Sequence, residues 1–315
     1  GPGDAGHSSV PQEGTDTMTI RMTLVLLLIV PAAMAYPWHS VPQRWILGVA
    51  VAAVVILFVQ WRGVFLTTLV GRRWAMLRRR RGVTNHGDPE RVSIALRVEA
   101  GQVAELAVSD LVSYLHRYGV RCESVRVVSR DEGGRRDTWV SLILDAKHNL
   151  PALQGRSSDA GIDELALVVG RRLAEQLRET GLQVSVDRGP DAPLSAGACE
   201  GWRGVDDGDG QLSICSIPAD GDLVDRVAEL QTGAETWTVL EFSSAGSHPV
   251  AAAAVAIRTG EQPGTVSGLR AQPGRQRPLL EAMDPRSVRQ LGLPTQPVPD
   301  LAWPVSAEAS TVSRT

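Results

Sequence analysis

The chain has 315 residues, 43% of them apolar and 21% charged, and its formal net charge at pH 7 is -3. This length and apolar content suffice for one or two domains with buried cores, and the small net charge excludes a chain that is strongly basic throughout, as many nucleic-acid-binding proteins are. The segment before residue 82 nevertheless carries Arg21, Arg44, Arg62 and a cluster of six arginines, whereas the acidic residues are spread through the rest of the chain, and this asymmetry indicates a local electrostatic role.

The first 70 residues combine a polar start with two apolar runs. Residues 1–17 are polar and rich in glycine, and we expect them to form a disordered extension. The runs Met22–Tyr36 and Trp45–Trp61 follow within residues 18–70. As a helix the second run would be roughly 25 Å long, and its continuation through VFLTTLV would make it long enough for the roughly 30 Å hydrocarbon layer. The pattern predicts two transmembrane helices that form a hairpin.

A signal peptide is the alternative interpretation of the first run. Arg21, the apolar stretch and Ala33-Met34-Ala35 resemble a basic start, a hydrophobic core and an A-x-A cleavage site. Cleavage would leave one span, whereas retention leaves a hairpin with a very short external loop, and we favour retention. Both alternatives predict the same orientation for the rest of the chain.

A basic segment follows the second run and predicts its orientation. The stretch VGRRWAMLRRRRG at 70–82 contains six arginines, and short basic flanks remain cytoplasmic. Residues 71–91 are therefore predicted to be a juxtamembrane segment and hinge, in which each exposed arginine adds about 1 kcal/mol of attraction to anionic lipid headgroups. The predicted membrane-anchoring residues are Trp38, Trp45, Trp61, Arg62, Arg72, Arg73, Trp74, Arg78, Arg79, Arg80 and Arg81. The small residues predicted to allow close helix packing are Gly48, Ala50, Ala52 and Ala53.

Residues 92–260 change to the short periodic segments of a cytoplasmic α/β domain, of the α+β type. The first group has predicted strands at Val92–Val98, Cys122–Ser129, Thr138–Ala146 and Leu182–Asp187, and predicted helices at Val103–Tyr118 and Ile162–Thr180. The second group has predicted strands at Gln211–Ile217, Thr236–Phe242 and Val250–Arg258 and a predicted helix at Leu223–Gln231. The first group therefore has the ferredoxin-like order β-α-β-β-α-β, and the second has the order β-α-β-β.

Residues 261–315 form a tail rich in proline, glycine, glutamine and arginine. One short helix is predicted there, at Pro278–Met283. A segment of this composition buries little apolar surface, so we expect it to wrap along the domain or a partner, or to remain mobile.

No motif predicts a catalytic, cofactor or metal site. The six histidines lack metal-ligand spacing, and the GxGxxG match at Gly1–Gly6 has no strand before it. Three cysteines without CxxC spacing indicate free thiols in a reducing compartment. The acidic turn Asp206–Gly210 lacks the final Glu of a calcium loop, so a solvated turn is favoured over a cation site. Trp139 and Trp237 are expected to pack in a core or interface, because the strand Cys122–Ser129 lacks the aromatic rings of RNA-binding sheets.

Several blocks of the sequence resemble one known family. They are QRWILGVAVAAVVILFVQWRGVFLTTLVGRRWAM, RYGVRCESVRV, DTWVSLILDA, VGRRLAEQLR and ETWTVLEF, within the stretch from Met18 to about Arg289. In order and wording they are similar to EccE, a membrane component of the type VII (ESX) secretion system, and above all to the paralogue tied to iron and zinc acquisition. The resemblance rests on the order of several blocks and carries no catalytic motif.

The resemblance implies a structural, non-enzymatic subunit of the cell inner (plasma) membrane, with two passes and a cytoplasmic main domain. The implied partners are the EccB and EccD subunits and the EccC ATPase, and the family is placed at the outer edge of that complex. No cofactor and no nucleic acid is implied. Two alternatives of other classes remain open: a membrane-anchored, metal-dependent sugar transferase that uses the Asp206–Asp209 turn, and a regulatory domain that senses a small ligand on its sheet.

Overall fold

The structure is a computed structural model that describes residues 60–61, 64–65, 73, 90–154, 161–186, 193–195, 197–230, 234–259 and 268–306. The chain divides into two compact units, residues 1–75 and 76–315. In the first unit, strand β1 (Gln60–Trp61) pairs antiparallel with β2 (Val64–Phe65). This strand pair differs from the continuous helix predicted through the same stretch. No helix within the described ranges has both the length and the apolar content needed to cross a bilayer.

The second unit has a mixed α/β structure. Its strands are β3 (Arg91–Glu99), β4 (Glu105–Ala107), β5 (His116–Arg117), β6 (Val120–Glu132), β7 (Arg135–Asp145), β8 (Gln183–Val186), β9 (Cys199–Glu200), β10 (Val205–Asp206), β11 (Gln211–Ile217), β12 (Thr236–Ala245), β13 (His248–Thr259), β14 (Arg270–Ala271), β15 (Gln296–Pro297) and β16 (Ala302–Pro304). The α-helices among its described residues are α1 (Val108–Val112), α2 (Leu150–Gln154), α3 (Ile162–Glu179), α4 (Leu223–Leu230) and α5 (Gln276–Met283).

The first group of strands forms an antiparallel sheet in the spatial order β8-β3-β7-β6. Numbered within the group, this order is 4-1-3-2, so the predicted split β-α-β pattern is confirmed. Helix α3 packs on this sheet through apolar residues at helical spacing, such as Leu165, Val169 and Leu173. Gly170 permits the close contact, because a Cβ atom at this position would lie 2.5 Å from Cδ1 of Ile94.

The second group continues the same sheet. Strands β12, β13 and β11 are antiparallel neighbours, and β12 pairs with β6 from Thr236↔Asp131 to Ser243↔Ser124. The two groups therefore share a 12-stranded sheet and not two separate ones. The sheet is large because each group has a long strand at its edge, β6 in the first and β12 in the second, and these two strands pair with each other.

Each face of the sheet has its own apolar core. Along β13, Ala251, Ala253 and Val255 belong to one cluster and Ala252 and Ala254 to the other, because successive side chains of a strand point to opposite faces. The first cluster includes residues of α1, α3 and α4, and the second includes residues of α5. The sheet is thus covered on both faces, which explains why its central strands are apolar with little alternation.

The helix predicted at 103–118 was wrong in its extent. Residues 105–107 form β4, which pairs with β16 near the end of the chain, and the helix is confined to α1 and a 3₁₀ turn at Ser113–Leu115. Local periodicity cannot report this pairing, since the partner strand begins at Ala302. A tertiary contact here overrides the local helical pattern.

The described part of the tail, residues 268–306, packs on the sheet. Leu279, Leu280 and Met283 of α5 are buried in the second cluster, and Trp303 of β16 is buried in the first. The Trp303 indole N–H donates a hydrogen bond of 2.9 Å to Ser129 Oγ. The tail therefore contributes large side chains to both cores.

A buried ion pair lies where the two groups of strands meet. Arg126 of β6 and Glu241 of β12 are directly opposite each other and 0% and 6% exposed. The Arg126 Nε–H and Nη2–H groups donate to Glu241 Oε2, and the Nη1–H and Nη2–H groups donate to the carbonyl oxygens of Ser287 at 3.3 Å and Arg289 at 2.6 Å. Glu241 Oε1 accepts the Leu291 N–H at 3.1 Å. The pair thus joins both groups to the tail.

Replacement of Arg126 by methionine is expected to lower the free energy of unfolding by about 3–5 kcal/mol, because it leaves the Glu241 charge buried without a partner. The measurement is urea unfolding of a fragment spanning residues 76–315, followed by tryptophan fluorescence. The matched control is Arg135→Met, whose side chain is 71% exposed and pairs with Asp137; its expected effect is below about 1 kcal/mol. Equal effects of the two substitutions would contradict the assigned role of Arg126.

Candidate functional site

Most of the predicted membrane-anchoring residues lie outside the described residues. These are Trp38, Trp45, Arg62, Arg72, Trp74, Arg78, Arg79, Arg80 and Arg81, together with the helix-packing residues Gly48, Ala50, Ala52 and Ala53. Of the remaining two, Trp61 belongs to β1, and Arg73 has helical backbone and is exposed.

The acidic turn at residues 206–210 joins β10 to β11. The Asp207 side chain is 2% exposed, and its Oδ1 atom accepts a hydrogen bond of 2.6 Å from Arg258 Nη1. The same oxygen accepts the Asp209 N–H at 3.3 Å, and Asp206 Oδ1 accepts the Gly208 N–H at 3.1 Å. These contacts hold the Asp207 carboxylate within the turn and across to β13, and the Asp206 carboxylate within the turn.

Arg258 connects the turn to a second carboxylate. Its Nε–H group donates to Glu235 Oε2, and Glu235 Oε1 in turn accepts hydrogen bonds from Arg130 Nε at 2.7 Å and Trp237 Nε1 at 3.0 Å. The hydrogen bond to Asp207, followed by that to Glu235, raises the pKa of the Arg258 guanidinium. Burial alone would raise the pKa of Glu235, but the hydrogen bonds from Arg258 and Trp237 outweigh it, and the pKa of this carboxyl is lowered.

This network makes the acidic turn a poor cation site. A divalent ion would have to displace Arg258 from Asp207, and the described residues contain no group of three or more His, Cys, Asp or Glu side chains that could hold a metal. The arrangement fits a structural turn held by a half-buried ion-pair network. A metal-dependent transferase site at Asp206–Asp209 gains no support from this geometry.

The two strand tryptophans pack against each other inside the protein. The rings of Trp139 and Trp237 lie 6.3 Å apart between centroids at an interplanar angle of 17°, and both side chains are buried. The guanidinium carbon of Arg130 lies 5.4 Å from the centroid of the Trp237 ring. Because neither ring face is open to a base, the tryptophans are core residues and not a nucleic-acid platform.

The cysteines are free thiols in three different environments. Cys122 is buried, and burial raises the pKa of its thiol to about 12. Cys215 is half-buried, and burial raises its pKa as well. Cys199 is exposed. The thiolate is the reactive form, so Cys199 is the thiol most open to modification.

A surface cluster of arginine and tyrosine side chains, all exposed except the half-buried Arg117, was not predicted from the sequence. The guanidinium carbons of Arg117 and Arg172 each lie 5.0 Å from the centroid of the Tyr118 ring, and Arg171 is exposed beside Arg172 on α3. We refer to Arg117, Tyr118, Arg171 and Arg172 as the arginine–tyrosine patch. Residues 118 and 172 are distant in sequence, so only the fold brings them together.

Known proteins resemble the chain along nearly its whole length. The ESX-3 secretion system protein EccE3 of Mycolicibacterium smegmatis (strain ATCC 700084 / mc(2)155) is 42% identical over 288 residues, which cover 90% of this chain and 93% of that protein. The ESX-3 secretion system protein EccE3 of Mycobacterium tuberculosis (strain ATCC 25618 / H37Rv) is 38% identical over 302 residues, which cover 90% of this chain and 91% of that protein. The chain belongs to the EccE family.

A family model supports this assignment over the part that includes the acidic turn. The model described as "Putative type VII ESX secretion system translocon, EccE" matches residues 133–210. This stretch contains β7, α2, α3, β8, β9, β10 and the whole acidic turn at residues 206–210. The predicted resemblance to EccE, and to the paralogue of the iron- and zinc-related system, is therefore confirmed.

Replacement of Asp207 by asparagine is expected to lower the free energy of unfolding by about 1–3 kcal/mol, because it weakens the bond to Arg258 at a buried position. Addition of Mn²⁺ should leave the Tm of the unsubstituted protein unchanged, because we expect no Mn²⁺ to bind at the turn. A ligand that binds only the folded state would raise the Tm. Differential scanning fluorimetry measures both effects. A Tm that rises with Mn²⁺ and no longer does so after Asp206→Ala would instead support a cation site.

Proposed function

We propose that the protein is a non-enzymatic, membrane-anchored subunit of an ESX type VII secretion complex. The observation that carries the proposal is the 38–42% identity to ESX-3 secretion system proteins over 90% of the chain. Membership of the EccE family makes it a structural component of that secretion system. The finer statements, on the membrane, the partners and the absence of catalysis, are argued below.

The membrane anchor is proposed from the two apolar runs within residues 18–70. Two helices would hold the chain in the cell inner (plasma) membrane, and the arginines of 71–91 would keep the residues after them on the cytoplasmic side. Anionic lipid headgroups are the proposed ligands of these arginines. The arrangement assigns residues 92–260 to a cytoplasmic domain and residues 261–315 to a tail.

The architecture of the second unit suits a scaffold. The sheet is covered by helices and by the tail on both faces, and the ion pair of Arg126 and Glu241 connects its two halves. The carboxylates of the acidic turn are held by Arg258, and the stacked tryptophans are buried. These features support a rigid domain that acts through its surface, and none favours a transferase or a ligand-sensing site.

The proposed partners are the EccB and EccD subunits and the EccC ATPase. The family resemblance supports this set, with the protein at the outer edge of the assembly, where its membrane helices pack on neighbouring subunits. The small residues Gly48, Ala50, Ala52 and Ala53 are the proposed contact positions in the second helix.

Purification of the tagged full-length protein in mild detergent is expected to recover a large complex. Mass spectrometry of that sample should identify the EccC ATPase and a many-spanning EccD-type subunit. The matched control is a chain that begins at residue 76 and lacks both apolar runs, and we expect it to be recovered without the complex. Recovery of the full-length protein as a lone small species, while EccC is intact in the same membranes, would contradict the proposal.

Cys199 provides a test of the orientation. A membrane-impermeant maleimide should label the protein in inside-out membrane vesicles and not in right-side-out vesicles. Labelling should fall sharply in Cys199→Ser, because Cys122 is buried with a pKa raised to about 12, and burial also raises the pKa of the half-buried Cys215. Labelling of right-side-out vesicles would place the domain outside the cytoplasm.

A further inference from the structure

The arginine–tyrosine patch brings together three arginines that have no carboxylate partner among the described residues. Arginines elsewhere in the sheet, such as Arg97, Arg126 and Arg258, form ion pairs with carboxylates. Within the described ranges, Arg117, Arg171 and Arg172 form no ion pair with a carboxylate. Among the described residues, no carboxylate therefore neutralises the exposed Arg171 and Arg172 or the half-buried Arg117, which favours binding of an external anion.

The backbone at Tyr118 is strained for its residue type. Tyr118 and Gly119 have φ values of 56° and 73°, and they connect Arg117 to Val120, which pair directly. Two central residues with positive φ are typical of a type I′ hairpin turn, in which asparagine is favoured at the first of them. A tyrosine at this position costs free energy, and its mostly exposed ring contacts the guanidinium groups of Arg117 and Arg172 and does not belong to either apolar core.

The side chains around Tyr118 hold the patch in place. Arg117 Nη1 donates to Gln176 Oε1 at 2.6 Å and to Ser113 Oγ at 3.0 Å, which orients its guanidinium group. Leu167, one helical turn before Arg171 on α3, is 44% exposed. The surface therefore presents cations, an aromatic ring and an apolar side chain from two elements, β5 and α3.

We propose that the arginine–tyrosine patch binds the anionic phospholipid headgroups of the membrane surface. Guanidinium groups bind phosphate oxygens in pairs of hydrogen bonds, and tyrosine rings are enriched at the membrane interface. An interfacial site of this kind combines basic residues with a few apolar side chains that insert below the headgroups, as Leu167 can. The inference rests on the proposed membrane location of the protein.

The composition of the patch favours a lipid surface over an acidic protein segment. The cores of protein interfaces are depleted of charged residues, whereas three of the four side chains of the patch are arginines. Lipid headgroups require no shaped groove and remain hydrated, so exposed guanidinium groups can bind them without full burial. A protein partner is therefore an outcome of the test and not the proposal.

The experiment compares the full-length protein in nanodiscs of phosphatidylcholine alone with nanodiscs that also contain phosphatidylglycerol. Amide hydrogen exchange at residues 116–121 and 167–173 should be roughly tenfold slower with the anionic lipid, because bound headgroups restrict local opening. The protection should be lost in roughly 1 M salt, at which the Debye length is about 3 Å.

Three variants separate lipid binding from folding. Arg117→Gln with Arg172→Gln should abolish the protection that the anionic lipid provides, while the matched control Arg135→Gln, which removes one exposed arginine at another place, should retain it. Tyr118→Asn should lower the protection without lowering the Tm, because asparagine adopts positive φ more readily. A lower Tm for Tyr118→Asn would show that the tyrosine is there for stability, which would overturn its assignment to the patch.

Two results would overturn the proposal. Exchange rates that are the same in both lipids would exclude a headgroup site, and protection that appears only after addition of the purified secretion complex would assign the patch to a protein partner. Neither result bears on the membrane anchor, because failure of the proposed function would be seen separately, as failure of the full-length protein to enter nanodiscs at all.

Discussion

The ion pair between Arg126 and Glu241 is the interaction on which the assembly of the sheet depends. A guanidinium group that is fully buried needs oxygen acceptors for its donors, and here they come from Glu241 of the neighbouring strand and from two carbonyls of the tail. Strand β6, strand β12 and the tail must therefore all be in place before the two charges have their hydrogen-bond partners. Buried pairs add little net stability compared with apolar residues, so we attribute to this pair the choice of one register between β6 and β12.

The same requirement explains how a proline-rich tail packs on a sheet. The tail segment after α5 lies where side chains of the sheet supply its hydrogen bonds: Ser141 Oγ donates to the Pro285 carbonyl at 2.6 Å, and Arg126 donates to the carbonyl of Arg289. Proline has no N–H group, so such a segment needs fewer acceptors than an ordinary strand. Arg136 continues the pattern by donating to the Pro304 carbonyl while it pairs with Asp131.

Period-two and helical patterns were sufficient to predict the two groups of strands, because all of the predicted strands except β8 span seven or more residues. The strand at 105–107 and the packing of Trp303 were missed, since both depend on residues far apart in the sequence, 174 positions in the case of Ser129 and Trp303. Arg126 and Glu241 could have been noticed in the sequence, because each is a charged residue within an apolar strand, in VRVV and in VLEF. A search for periodic apolar residues takes no account of such single charges. The predicted membrane residues stay predictions, because all but Trp61 and Arg73 fall outside the described ranges.

In a domain whose sequence contains no catalytic motif, charged residues that have ion-pair partners can be distinguished from charged residues that have none. Asp207 and Glu235 are held by Arg258, so these polar groups contribute to the fold, and the ion pairs account for the conspicuous acidic spacing in the sequence. The strained Tyr118 and the arginines beside it contribute no ion pair to the fold among the described residues, yet they are inconspicuous in the sequence. For a subunit that acts through its surfaces, the informative residues are those whose charge the fold leaves unpaired, and only the tertiary structure identifies them.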